Sequence, residues 1–238
     1  GFQMKDIYTI TIVGFVIGIV GTGFGGLLST FIKTTNDKLV SNLLGLTGGF
    51  MLGIVTFKLL PESYLLGGIW IELFGVILGM ILILVVEKLV PKKNTSPMLR
   101  SGIIFGISIG MHNLPEGLAV GSAFMANESI GLSLSIAMVV HNIPEGLAMA
   151  IPLKLTGLPW WKILLLTIVA AFPTGLGAFM GAYLGNISNL YIAICLSLAG
   201  GTMLYIVCDE IIPNAKTRGK GSSSTVSLII GFVLGLFF

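Results

Sequence analysis

Eight times along this chain an apolar run reaches the length needed to cross a bilayer, roughly 17–25 residues. The runs fall at about 8–32, 39–63, 67–90, 101–126, 129–153, 160–184, 189–213 and 222–238. Hydrocarbon offers no partner to a backbone N–H or C=O, so an uninterrupted apolar run satisfies those groups only as a helix. The expected fold is therefore all-α: a polytopic membrane protein, an eight-transmembrane-helix bundle with residues 1–238 forming a single transmembrane domain. Composition excludes the soluble alternative, since only 10% of the 238 residues are charged against about a quarter in a soluble domain. The 33 glycines, interleaved with Leu, Ile and Val, suit close helix packing rather than a flexible chain. Cys195 and Cys208 both stand in apolar stretches and offer no disulfide framework. The first apolar run is too long for a cleavable secretory signal and lacks its small-residue cleavage site.

The basic residues divide by side. Lys33, Lys38, Lys88, Lys92, Lys93, Arg100, Lys154, Lys162, Lys216, Arg218 and Lys220 all lie in or beside alternate loops on one face. The opposite face holds Lys5 alone, and Lys58 lies within the second span. Such an excess marks the cytoplasmic face, so both termini are expected outside and the chain in the cytoplasmic membrane. The charges are spread over every loop of one face instead of clustering, which argues against a nucleic-acid partner.

An internal repeat organises the spans. "GGFMLGIVTFKLLPES" (48–63) aligns with "GGTMLYIVCDEIIPNA" (200–215) at an offset of 152, and "GTGFGG" (21–26) with "PTGLGA" (173–178) at the same offset. Spans one to three thus recur as spans six to eight. Five spans separate the copies, an odd number, so the second enters the membrane inverted. Inverted repeats are a plan of secondary transporters, with the site near the midplane between the copies.

Spans four and five, inside that frame, carry the chemistry. "HNLPEG" (112–117) returns 29 residues on as "HNIPEG" (141–146), each near the middle of its span. A carboxylate at that depth costs a few kcal/mol and marks function by default. His112 with Glu116, and His141 with Glu145, stand four residues apart, on one helix face about a turn from each other. Two imidazoles and two carboxylates from neighbouring helices suit a first-row divalent cation, Zn²⁺ foremost. Pro115 and Pro144 lack an N–H and free the carbonyls of Met111 and Val140. Asn113 and Asn142 are either neutral oxygen ligands or interhelical hydrogen-bonding groups.

The two motifs on consecutive spans resemble the ZIP (Zrt-, Irt-like) family of divalent-metal transporters, particularly its compact bacterial GufA-like members. "LLPES" ending span two and "DEIIPNA" at the end of span seven extend the likeness over nearly the whole chain. The resemblance implies a metal site made of His112, Asn113, Glu116, His141, Asn142 and Glu145. It also implies an approach by Met51, which the residues alone read as core packing rather than as a ligand. Many relatives carry a Glu before the proline of span six that completes a second metal site. Phe172 stands in that place here, so a single dominant site is expected. The resemblance also implies a homodimer. The His-rich cytoplasmic loop of many members is replaced by "PKKNTSPMLR".

Asp209, Glu210 and Glu87 lie towards the cytoplasmic ends of spans seven and three and are the candidate exit path; relatives bind metal at the place matching Asp209 and Glu210. Glu62 is the candidate entrance, with Lys58 a turn before it expected to be neutralised by it. The predicted function is secondary transport of a divalent transition metal ion into the cytoplasm by alternating access. Zn²⁺ leads, with Fe²⁺, Mn²⁺ and Cd²⁺ as further cargoes, and no cofactor is expected besides the transported ion. The alternative from another class is an intramembrane metal-dependent hydrolase, since a metal held by His and Glu activates water; no HExxH motif supports it.

Overall fold

The structure is a computed structural model that describes residues 6–31, 36–89, 97–219 and 221–237. The elements among these residues are helical throughout. Helix α1 (Ile7–Leu28) closes in a 3₁₀ turn, Ser29–Phe31. Helix α2 (Asp37–Ile54) passes through a π-helical segment, Val55–Leu59, into α3 (Leu60–Leu89). Then come α4 (Pro97–Ala126), α5 (Glu128–Leu155) and α6 (Trp160–Ile187). Helix α7 (Asn189–Ile206) passes through a second π-helical segment, Val207–Ile211, into α8 (Ile212–Arg218), and α9 (Ser223–Leu234) ends the described chain with a 3₁₀ turn, Gly235–Phe237.

Five stretches among the described residues are long and apolar enough to cross a membrane. One of them, Asp37–Val85, has 49 residues and is about 74 Å long at helical rise, enough for two crossings. The sequence expects a link at 64–66 between those crossings. Instead the helix runs on to Gly67 and breaks at Gly68, where φ is 73° and ψ 174°, a backbone region open essentially to glycine alone. The chain turns where its conformational freedom permits, not where polarity rises.

The surface is apolar, and a set of polar side chains is buried within an otherwise apolar core. Val16, Val20 and Phe24 of α1, Ile77 and Ile81 of α3, and Leu165, Val169 and Leu176 of α6 are exposed. Thr22, Ser63, Asn113, Glu116, His141, Asn142, Glu145 and Thr174 are buried. Exposed apolar surface on this scale marks a face that meets lipid, and the protein is a membrane protein.

The two π segments begin 152 residues apart, and each has a physical cause in the proline that follows. Pro61 and Pro213 supply no N–H to the carbonyls four residues back. The turn widens just before each, with Leu60 N–H donating to Val55 O and Ile212 N–H to Val207 O. Interhelical contacts repeat with the same spacing. Ser41 Oγ donates to Ala215 O at 2.6 Å, and Ser63 Oγ donates to Ala193 O at 2.8 Å; these are the same two positions with the copies exchanged. A Cβ on Gly49 would strike Leu228 O, and one on Gly201 would strike Val76 O. Around α4 and α5 the exchange also moves residues by 29. Gly146 packs on Thr22 O as Gly117 packs on Thr174 O, and Gly25 on Ile143 O as Gly177 on Leu114 O. Glycine is required at these crossings because backbone lies where a side chain would go. The result packs α4 on α6 and α5 on α1, while α1 and α6 pack on each other at Gly14 and Gly18.

At one end of the bundle Lys154 Nζ donates to Ser29 O and Thr30 O at 2.9 and 3.1 Å. The cation caps the last carbonyls of α1 and ties it to the end of α5.

Candidate metal site

A single residue, Asn127, joins α4 to α5, and its side chain accepts from Ser129 N–H at 2.8 Å, capping α5. Gly131 leaves room for the ring of Phe124, which is fully buried against it. So tight a link holds the two helices antiparallel and in register. Glu116 lies about 17 Å of helix before Asn127 and His141 about 21 Å after it, which places them at similar depth.

There they meet. His141 Nε2–H donates to Glu116 Oε1 at 2.7 Å, and His141 Nε2 stands 3.9 Å from Glu145 Oε2. One ligand atom from each of Glu116, His141 and Glu145 lies within 4.8 Å of the others. The shortest contact therefore crosses between helices, while the pair four residues apart on α5 is the looser one. Glu116 is 0% exposed, His141 2% and Glu145 3%. Two buried carboxylates around one imidazole carry more negative charge than the imidazole can neutralise, and burying charge without compensation is costly. A dication bound among them would restore the balance.

Further buried atoms point to the same need. Glu116 Oε2, Asn113 Oδ1 and both polar atoms of the Asn142 amide have no hydrogen-bond partner among the described residues. Buried polar atoms in native proteins are ordinarily satisfied, by water or an ion where protein fails them. The two asparagines differ. Asn113 Nδ2–H donates to Ala170 O at 2.7 Å and so fastens α4 to α6, whereas the Asn142 amide packs against α1 at Gly21.

The other sequence-predicted residues divide. Met51 is fully buried in the apolar core; Phe50, its neighbour on α2, has its ring centroid 6.3 Å from that of His141. Nothing in the sequence marked Phe50 for this place. Glu210, half-buried on the second π segment, acts electrostatically on Glu145, while Asp209 beside it is exposed. Glu62 and Lys58 are both half-buried, yet no ion pair joins them among the described residues. The side chains of His112 and Glu87 lie outside the described ones. A cavity of about 80 Å³ opens beside His141, lined by Leu46, Thr47, Phe50, Val140, Pro144 and Leu234.

Phe172 is 52% exposed on the outer side of α6, with its ring centroid 4.9 Å from that of Phe15. Ala170, Ala171 and Thr174 are the buried residues of this turn. Successive helical residues point about 100° apart, so the position before Pro173 is turned away from the interior that its neighbours face.

The family description "ZIP Zinc transporter" matches residues 92–238, a stretch that includes both motifs. The chain is 31% identical to the zinc transporter ZupT of Akkermansia muciniphila, over 90% of its own length and 91% of that protein. It is 32% identical to the ZupT of Chlorobium limicola, over 96% of both chains. To the ZupT of Streptococcus mutans it is 28% identical, over 97% of this chain and 96% of the other. These are transporters, not enzymes. A buried Glu–His–Glu group on paired helices, a family match across that stretch and relatives aligned over at least 90% of the chain agree: the chain belongs to the ZIP zinc transporter family.

Proposed function

We propose that this protein is a secondary transporter that carries a divalent transition metal ion, Zn²⁺ foremost, into the cytoplasm by alternating access. The observation that carries the reading is the buried group of Glu116, His141 and Glu145, drawn from two adjacent helices at mid-bundle. Its ligand types suit Zn²⁺, with Fe²⁺, Mn²⁺ and Cd²⁺ as further cargoes. His112 and the amides of Asn113 and Asn142 complete the set, and Met51 approaches from α2. The named relatives are zinc transporters, which supports the cargo.

The exchanged serine hydrogen bonds and the paired glycine crossings support two inverted copies, spans one to three and six to eight, around α4 and α5. Two halves of equal packing are what alternating access needs, since either can open while the other holds. The basic residues of alternate loops support a cytoplasmic-membrane orientation with both termini outside. The ion enters past Glu62, sheds its water at the midplane and leaves past Glu210, Asp209 and Glu87. The electrostatic reach of Glu210 to Glu145 supports that exit. Binding must stay moderate, because a site that holds too well cannot release. A homodimer rests on the family resemblance alone.

The test uses purified protein in vesicles loaded with a metal-sensing dye. Zn²⁺ entering with the unsubstituted chain and stopping with His141→Ala and Glu116→Ala supports the proposal. Undiminished flux in both variants overturns it.

A further inference from the structure

The exchange that relates the two copies also pairs two charges of opposite sign. At an offset of 152 the π segment Val55–Leu59 corresponds to Val207–Ile211, and Lys58 falls on Glu210. At the companion offset of 29 Glu116 corresponds to Glu145. The exchange that sets Ser41 on Ala215 and Ser63 on Ala193 gives Lys58 the station towards Glu116 that Glu210 holds towards Glu145. Lys58 is half-buried and makes no ion pair with Glu62, the carboxylate a turn away. Helices α2 and α7 cross the bundle in opposite senses under the positive-inside orientation, so the two π segments flank the site from opposite sides. The packing is alike on both sides; the charge is not.

We propose that Lys58 is a tethered cation at the outer mouth of the transport path, opposed to Glu210 at the inner mouth, and that it makes the two faces of the carrier bind metal unequally. This rests on the transport reading above. A positive charge disfavours a dication approaching from outside, and a negative one favours its binding from within, each effect doubled by the ion's charge. At separations of one to two helical turns through partly hydrated protein, the expected difference is roughly threefold to tenfold in KM. An uncoupled carrier has the same Vmax/KM in both directions at equilibrium, so the asymmetry shows as a split in KM with Vmax moving in parallel. A merely structural lysine would lower Vmax and leave the ratio of the two KM values alone.

The experiment measures initial Zn²⁺ flux from each side through the full chain, reconstituted in one orientation, at low and high ionic strength. The unsubstituted protein should show an outer KM above its inner KM. Lys58→Met should lower the outer KM roughly threefold to tenfold, Lys58→Glu should lower it further, and Lys58→Arg should leave it in place. Added salt should narrow the split, because it screens the charge. An outer KM equal in the Met and Arg variants, or one indifferent to salt, overturns the inference. Where Lys58→Glu fails to fold, Glu210→Gln replaces it and should raise the inner KM instead. Absence of flux in the unsubstituted protein defeats the transport reading itself. Flux that His141→Ala abolishes and Lys58→Met leaves unmoved defeats only the role of Lys58.

Discussion

His141 Nε2 of α5 and Glu116 Oε1 of α4 stand 2.7 Å apart with both side chains buried. In the proposed transport site an ion would take the place of the proton between them. With Zn²⁺ between them at about 2.0–2.2 Å from each ligand, tetrahedral geometry opens the N···O separation to about 3.3 Å. X-ray absorption on the Zn²⁺-loaded protein should find a first shell of N and O at about 2.0–2.1 Å. Glu116→Gln and His141→Ala should each weaken Zn²⁺ binding by at least about 100-fold, since even groups that only orient a ligand cost about 10–100-fold. Titration calorimetry checks this, with circular dichroism confirming retained helix.

Because protons and metal compete for the same atoms, acidification should weaken Zn²⁺ binding and slow uptake. Binding should release protons, so its measured enthalpy should vary with the ionisation enthalpy of the buffer. An enthalpy identical in phosphate and Tris would mean that no proton leaves and that the His141–Glu116 hydrogen bond survives loading.

The two asparagines should separate fold from function. Asn113→Ala breaks the hydrogen bond to Ala170 O and should cost about 1 kcal/mol of stability. Asn142→Ala removes an amide whose atoms have no protein partner among the described residues, so the metal-free protein should lose less. Metal affinity should fall more in Asn142→Ala than its stability does. Thermal unfolding in detergent, with and without Zn²⁺, distinguishes the two variants.

Gly117 and Gly146 meet the backbone of Thr174 and Thr22. Alanine at either forces α4 from α6 or α5 from α1 and should cost about 1–3 kcal/mol. If the crossings are equivalent, the losses should match within experimental error. Unequal losses would show that one copy yields more easily.

Phe172→Glu should not create a second metal site. The side chain lies on the outer face of α6 beside Phe15, where a carboxylate meets hydrocarbon at a cost of about 2.5–3.5 kcal/mol. Equilibrium dialysis should give the same metal stoichiometry as the unsubstituted chain, from a less stable protein.

The sequence by itself determined the helical class, the membrane setting and the pairing of the two motifs. Apolar runs of bilayer length admit only one kind of backbone, and a buried carboxylate is too costly to repeat without use. It also held the offset of 152, with Lys58 aligned on Glu210, because a repeat is visible wherever small residues must recur at crossings. Tertiary structure decided the rest. That Glu116 bonds His141 across helices, instead of His141 pairing first with Glu145 on its own helix, depends on the register set by Asn127 and the Phe124–Gly131 contact. That Phe50 stands beside His141, and that Phe172 turns away, depends on helix rotation, which tolerates any apolar residue on either side. The turn at Gly68 and the π segments before Pro61 and Pro213 follow from backbone geometry, to which hydropathy is blind. Residue types name the chemistry a chain can perform; only packing brings the named atoms within reach of one ion.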